Sequence, residues 1–239
     1  MKILITGGAS GIGASITKRL AKDQSNKVFF TYCKSNEGAQ AIEKMFPNAK
    51  GIKCDFSNSE EFDSLLREIP RLEIDMLVNN AITSLIEKQF HKIDRQAFLN
   101  GFRNNILPTI LITQQAILQF RKKKFGKIVT LSSAYLVNRP PVGLSEYTAS
   151  KAYLESLSKS WAIENASFNI TSNCIAPSFV RTNLTSNTDE RFIEQMTDQH
   201  PLRRLLTPEE IADTVFFFTT STQHINGVSL IINGGADVI

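Results

Sequence analysis

Polarity along this chain alternates between two periods. The runs 2–6, 27–32, 50–54, 74–79, 127–132, 170–175 and 229–232 are short, apolar or β-branched, and bounded by turn residues, the pattern of strands buried on both faces. Between them, 12–22, 37–46, 59–69, 95–120, 145–165 and 208–219 carry apolar residues at helical spacing with polar residues opposite. Asn58 or Ser59 caps the third of these helices. Thr207 caps the last, with Pro208 at its first position and Glu210 three residues after the cap. Alternation of this kind predicts an α/β fold, a parallel sheet with right-handed crossovers and helices on both faces. The periodicity fades only over 183–204, which is rich in Thr, Ser, Asn and Asp. That stretch follows the sixth strand and reads as a mobile flap over a ligand; composition alone fits a plain surface excursion as well.

Composition narrows the classes. A chain of 239 residues, 42% hydrophobic, with no composition break or internal repeat, suits one large α/β domain. Its formal charge of +4 is too weak to argue for nucleic acid. Cys33, Cys54 and Cys174 are scattered without a C-x-x-C, which supports neither a disulfide framework nor a zinc site and fits a reducing cytoplasm. His91, His200 and His224 are equally dispersed, so no metal site is expected. No apolar run reaches the ~18 residues of a membrane span, and the chain enters a strand at once, leaving no room for a signal peptide. The basic run Arg121-Lys122-Lys123-Lys124 reads first as a solvated helix end complementing the helix dipole, and second as a contact for an acidic carrier or a cofactor phosphate.

Two clusters carry chemistry. The first strand runs into Thr6-Gly7-Gly8-Ala9-Ser10-Gly11-Ile12-Gly13, and a helix follows at once. Backbone N–H groups at such a helix start, with glycines permitting close approach, suit a pyrophosphate. Ile16 stands where the third glycine of G-x-G-x-x-G would fall, so the turn alone also fits an ordinary βα connection. Further along, Tyr147 and Lys151 lie four apart, on one face of a helix that follows a long loop. That loop follows a strand ending in Leu131-Ser132-Ser133, and strand ends of a parallel sheet are where such folds bind ligands. A phenol with a pKa near 10 transfers protons poorly at neutral pH. A neighbouring ammonium, together with an oxidised nicotinamide, would bring it toward the working range. The Ser133 hydroxyl could hold a substrate carbonyl, and Asn105 could seat a water linking the lysine to solvent.

These motifs, in this order, resemble the short-chain dehydrogenase/reductase family over essentially the whole chain. The matching segments are the glycine turn over 6–13, Asp55 in Cys-Asp-Phe, Asn79-Asn80-Ala81, Asn105, Ser133, Tyr147 and Lys151, Ala176-Pro177 followed by Val180 and Thr182, and Asn233-Gly234-Gly235. The resemblance implies a doubly wound Rossmann fold, a single domain over 1–239 with a parallel seven-stranded sheet. It implies Tyr147 as general acid in reduction and base in oxidation, Lys151 as the group that lowers its pKa and holds the nicotinamide ribose, Ser133 as carbonyl-orienting hydroxyl, and Asn105 as support for a proton relay. It assigns cofactor contacts to Gly7, Ser10, Gly11, Ile12, Gly13, Tyr32, Lys34, Ser35, Asp55, Phe56, Asn80, Ala81, Tyr147, Lys151, Pro177, Val180 and Thr182. Three positions depart from the family pattern. Ile82 and Ser178 stand where glycine is usual, adding bulk and restricting the backbone near the cofactor, and Asn233 stands for the usual aspartate.

In this fold the end of the second strand reads the adenosine ribose, an acid favouring NAD and a base favouring NADP. Residues 29–35 contain no carboxylate, and Lys34, helped by the Ser35 and Thr31 hydroxyls, could neutralise a 2′-phosphate. NADP(H) is therefore expected, with NAD(H) as the alternative if Lys34 merely solvates a loop. The pattern is similar to 3-oxoacyl-[acyl-carrier-protein] reductases and related ketoreductases of fatty-acid or polyketide assembly, with Lys124 where a carrier-contacting arginine usually sits. The second usual basic contact falls near Ser167-Phe168-Asn169, which offers a phenylalanine. The rival activity is a dehydrogenase of a free small alcohol, sugar or steroid-like ketone. A catalytically silent dinucleotide-binding subunit is the alternative from another class, and the intact Asn105, Ser133, Tyr147 and Lys151 argue against it. The resemblance also implies a homotetramer paired through the 95–120 and 145–165 helices, with Ile110, Leu111, Ile117, Leu154 and Trp161 as candidate interface positions; burial within one chain would give the same pattern.

Overall fold

Ile3, Leu4 and Ile5 are fully buried, as are Met76, Leu77 and Val78, which pair with them residue for residue in parallel register. Strands this apolar on both faces belong at the centre of a sheet covered twice. In the computed structural model, which describes residues 1–83, 85–137, 139–182, 185 and 188–236, they are β1 (Lys2–Ile5) and β4 (Met76–Asn79). The other strands are β2 (Lys27–Tyr32), β3 (Ala49–Lys53), β5 (Gly126–Leu131), β6 (Ile170–Pro177) and β7 (Ser229–Ile232). The sheet is parallel in the order β3-β2-β1-β4-β5-β6-β7. The chain winds outward from β1 to β3 and returns to β4 on the other side of β1. That reversal opens a crevice at the carboxyl ends of β1 and β4.

The helices are α1 (Gly11–Ala21), α2 (Asn36–Met45), α3 (Ser59–Leu72), α4 (Arg95–Gly101), α5 (Leu107–Lys123), α6 (Ser145–Asn165), α7 (Glu190–Gln199) and α8 (Pro208–Thr220). Ile16 and Leu20 of α1, Ile42 of α2, and Ile211, Val215 and Phe218 of α8 pack with Ile3, Ile5, Val28 and Phe30. On the opposite face Phe62 and Leu65 of α3, Ile112, Ala116 and Phe120 of α5, and Trp161 of α6 pack with Leu4, Phe29, Leu77 and Ile128. The period-2 alternation within β1 thus feeds both cores. Asn58 caps α3, its Oδ1 accepting from the Glu60 and Glu61 N–H groups at 3.0 and 3.3 Å. Thr207 and Glu210 form the expected reciprocal box at α8.

The structure corrects the helix expected over 95–120 and two of the expected interface positions, and it adds a helix within 183–204. The expected helix over 95–120 is two helices joined by a π turn, Phe102–Ile106. Pro108 accounts for the break: it has no N–H to return to residue 104, and its ring crowds that carbonyl, so the preceding turn widens. The aperiodic stretch over 183–204 contains α7, capped by Asp189 and anchored by buried Ile193; residues 183, 184, 186 and 187 of the expected flap lie outside the described residues. Leu154 and Trp161 are buried within the chain, so neither is available to an interface. Among the described residues no helix is long and apolar enough to cross a membrane.

Candidate active site

The crevice is built by lacing the ends of β1 and β4 together. Thr6 Oγ1 accepts from the Asn80 and Ala81 N–H groups, both at 3.0 Å, and Asn80 Nδ2 donates to Thr6 O at 2.9 Å and Gly7 O at 3.1 Å. The turn that follows needs its glycines. Gly7 and Gly11 hold positive φ, and a Cβ on Gly13 would lie 2.0 Å from Gly7 O. Ser10 precedes α1 without a side-chain cap, and no acidic residue lies in the first turn of that helix. A backbone packed this closely around a helix start fits a dinucleotide pyrophosphate. The cleft above it has a volume of about 730 Å³ and runs from the turn past the ends of β2 and β3 to Tyr147 and Lys151.

At the far end Lys34 is exposed, and Ser35 and Asp55 line the wall. Asp55 is held in place by Ser57, whose N–H and hydroxyl both donate to Oδ1, and these bonds keep its carboxyl below the usual range. A second recess shares Ala9, Ser10, Gly11, Lys34 and Ser35 with the cleft and continues along the first turn of α2 to Glu37. Thr31 lines the cleft but is buried, and its hydroxyl accepts from the Gly7 N–H at 3.0 Å, supporting the turn from beneath.

The near end combines β5, α6 and the π turn. Ser133 follows β5 and caps a short 3-10 turn, its hydroxyl accepting from the Tyr135 N–H at 3.3 Å and lying close enough to Tyr147 to pull the phenol's pKa down. Lys151 is buried, its Nζ donating to Leu131 O at 2.6 Å and standing 5.7 Å from the centre of the Tyr147 ring. Burial pulls the lysine down to about 8. Burial also pushes the Tyr147 phenol up, against the opposing pull of the Ser133 hydroxyl. Burial is the larger effect, so in the protein alone the phenol stays above its ordinary value. Tyr147 is a protonated donor at neutral pH. Asn105 sits in the π turn, and its Oδ1 accepts from the Thr83 N–H at 2.9 Å and from the Thr83 hydroxyl at 2.8 Å.

Comparison with known proteins decides between an ordinary α/β domain and a specific one. The family model described as Enoyl-(Acyl carrier protein) reductase matches residues 7–237. The 3-oxoacyl-[acyl-carrier-protein] reductase FabG of Aquifex aeolicus is 32% identical over 241 residues, covering 97% of this chain and 95% of that protein. The protein of the same name from Staphylococcus aureus is 33% identical over 242 residues, with 97% and 96% covered. A variant of the actinorhodin polyketide ketoreductase, solved with NADPH, superposes with a TM-score of 0.87 at 25% identity, covering 98% of this chain and 96% of that one. The 3-ketoacyl-(acyl-carrier-protein) reductase of Brucella melitensis, solved with NADH, gives 0.87 at 26% identity with 99% and 98% covered. The chain belongs to the short-chain dehydrogenase/reductase family. It is an NAD(P)-dependent oxidoreductase of the ketoreductase type.

Within this short-chain reductase, Gly7, Ser10, Gly11, Ile12, Gly13, Tyr32, Lys34, Ser35, Asp55, Phe56, Asn80, Ala81, Tyr147, Lys151, Pro177 and Thr182 all line the one cleft. Val180 does not; it is buried and bridges to Leu206 behind the wall. Asn104 and Ser132 stand in the wall beside Asn105 and Ser133. Ile82 stands in the wall, so the bulk expected there is in the reductase's cleft, whereas Ser178 is outside it and donates its N–H to Ile232 O. Asn233 accepts from the Gly235 N–H and shapes the turn after β7. Sequence reasoning missed Thr83, Asn104 and Ser132. The one available signal was their position beside recognised motif residues, which does not say where a side chain points.

Proposed function

We propose that this protein is an NADP(H)-dependent ketoreductase acting on β-ketoacyl thioesters borne by an acidic acyl carrier protein. The observation that carries the chemistry is the placement of the Ser133 and Tyr147 hydroxyls beside each other and beside a buried lysine. Two neighbouring hydroxyls suit a single carbonyl oxygen as acceptor. Ser133 Oγ holds the ketone oxygen while Tyr147 Oη gives it a proton. The Lys151 ammonium then stabilises the phenolate left behind; in oxidation that phenolate takes the proton back. When bound, the nicotinamide supplies the electron pair as a hydride to the carbonyl carbon. The turn over 7–13 would hold the pyrophosphate, Asp55 and Phe56 the adenine, and Pro177, Thr182 and the Val180 backbone the nicotinamide side. Asn105, oriented by Thr83, would seat the water that reconnects Lys151 to solvent.

The recess flanked by Lys34 and Ser35 supports a 2′-phosphate, since it extends the cleft beyond the adenosine wall with a cation on its rim. The carrier assignment draws on the full-length similarity to 3-oxoacyl-carrier reductases and on the basic end of α5. Arg121 lies over the Phe168 ring at 4.7 Å and donates to Asn165 Oδ1 at 2.7 Å. Its charge therefore occupies the neighbourhood where the sequence lacks the second basic contact, and the carrier-facing patch would combine Arg121 with Lys124.

The test is turnover with NADPH across acetoacetyl thioester, carrier-bound β-ketoacyl chains, simple ketones and sugars. Thioester reduction is the expected result; silence on every thioester beside rapid turnover of a free ketone would overturn the substrate class. Tyr147→Phe should abolish turnover and leave NADPH affinity within about two-fold, because the ring remains and only the proton donor goes. Lys34→Glu should lower kcat/KM with NADPH by roughly ten-fold or more while sparing NADH. An unchanged preference in that variant refutes the phosphate assignment.

A further inference from the structure

The carboxylate of Glu155 has no part in the chemistry above, yet it reaches the strand end that carries Ser133. Residues 147, 151, 155 and 159 recur every four positions along α6 and share a face. Leu131, Ser132 and Ser133, consecutive at and after the end of β5, each meet one of them. Leu131 O accepts from Lys151 Nζ at 2.6 Å, Ser132 Oγ donates to Glu155 Oε2 at 2.8 Å, and the Ser133 hydroxyl faces the Tyr147 phenol. Ser132 is buried, and its N–H is already used by Ile175 O at 2.7 Å, so the hydroxyl bond is the side chain's own tie to the helix. Glu155 is mostly covered, and its other oxygen lies 3.6 Å from the exposed ammonium of Lys159, which balances the charge. Cys174, Ser158 and Ser172 complete a polar layer behind it, with the two serine hydroxyls 2.7 Å apart.

We infer that Glu155 is a positioning residue for ketone reduction, acting through Ser132 to hold the Ser133 hydroxyl against Tyr147. The inference rests on the roles proposed for Ser133 and Tyr147. Strand end and helix are separate elements, and a site tolerates little misplacement between its reacting groups. A hydroxyl bonded to a carboxylate is stronger than a neutral pair, which suits a tie that must resist fraying at a strand terminus. Without it, the tie of residues 131–133 to α6 would rest on the Lys151–Leu131 bond.

The test compares Glu155→Ala, Glu155→Gln, Ser132→Ala and the double variant Ser132→Ala/Glu155→Ala in the full chain. Removing the acceptor should lower kcat roughly ten-fold and raise amide exchange over 131–137 by a similar factor, with NADPH affinity within about two-fold of the parent. Glutamine keeps an acceptor oxygen and should restore most of both losses, and the double variant should lose no more than either single one. Additive losses, a glutamine variant as impaired as the alanine one, or unchanged exchange over 131–137 would overturn the inference. A loss confined to thermal stability and NADPH affinity would do the same, by showing a purely structural role. The exchange arm does not depend on turnover. If the parent reduces no ketone the proposed function fails, while exchange still decides whether the tie exists.

Discussion

Lys151 is where sequence-level chemistry and the folded environment pull against each other. Its ammonium is needed to stabilise a phenolate, yet it sits buried with a carbonyl as its hydrogen-bond partner, and burial lowers its pKa from 10.5 to about 8. The group is thus easier to deprotonate folded than unfolded. Between about pH 8 and 10.5 the unfolded chain binds the extra proton, so this residue's contribution to stability rises as pH rises through that window and is least favourable below it. Lys151→Met removes the titration while keeping the stem. The melting temperature of the parent relative to this variant should therefore increase from pH 7 to pH 10, measured without cofactor. A constant difference would show that Lys151 titrates at an ordinary value. Taking the difference matters, because the raised pKa values of Cys33 and Cys54 act in the opposite direction in both proteins.

At the scale of elements, α6 packs against the end of α4, where the π turn begins, as well as against β5. Glu146 is buried beside Tyr147, accepts from Ser150 Oγ at 2.8 Å, and fills the space where a side chain on Gly101 would stand. A Cβ on Gly101 would lie 2.2 Å from Glu146 Oε1. Alanine normally stabilises a helix over glycine by about 1 kcal/mol. Here the clash should win, and Gly101→Ala should cost roughly 1–3 kcal/mol in denaturant unfolding and lower kcat by shifting the turn that bears Asn104 and Asn105. Increased stability would mean that Glu146 swings out freely. Elements of this kind mark what could be read in advance. The sheet, the crossovers, the caps at Asn58 and Thr207, and the bounds of α6 followed from periodicity and capping chemistry. The π turn did not, because Pro108 and the run Phe102 to Ile106 keep an apolar spacing compatible with one straight helix. The site was legible where a motif fixes a backbone, as at Gly7 and Gly13. It was illegible where side-chain direction decides, as for the Asn104–Asn105 and Ser132–Ser133 pairs.

At the scale of the molecule, the burial of Leu154 and Trp161 moves any assembly surface to other residues. Phe102 and Tyr153 pack edge to face with ring centres 5.9 Å apart and remain 40% and 45% exposed, beside partly exposed Leu107. On a different side, β7 is the edge of the sheet, and its Leu230 and Ile231 are exposed, with Phe217 of α8 also partly open. An unpaired apolar edge strand is an aggregation hazard unless something covers it. Two separate apolar surfaces, each covered by its own copy across a two-fold axis, close into four chains with no open end. Light scattering should therefore give a mass near four times 26.7 kDa for the parent. Tyr153→Glu and Ile231→Glu should each leave a dimer, because each charge disrupts a different two-fold, and the two together should leave a monomer. A parent that sediments as a monomer would refute this arrangement. So would a single substitution that dissolved the whole assembly, because both surfaces would then belong to one interface.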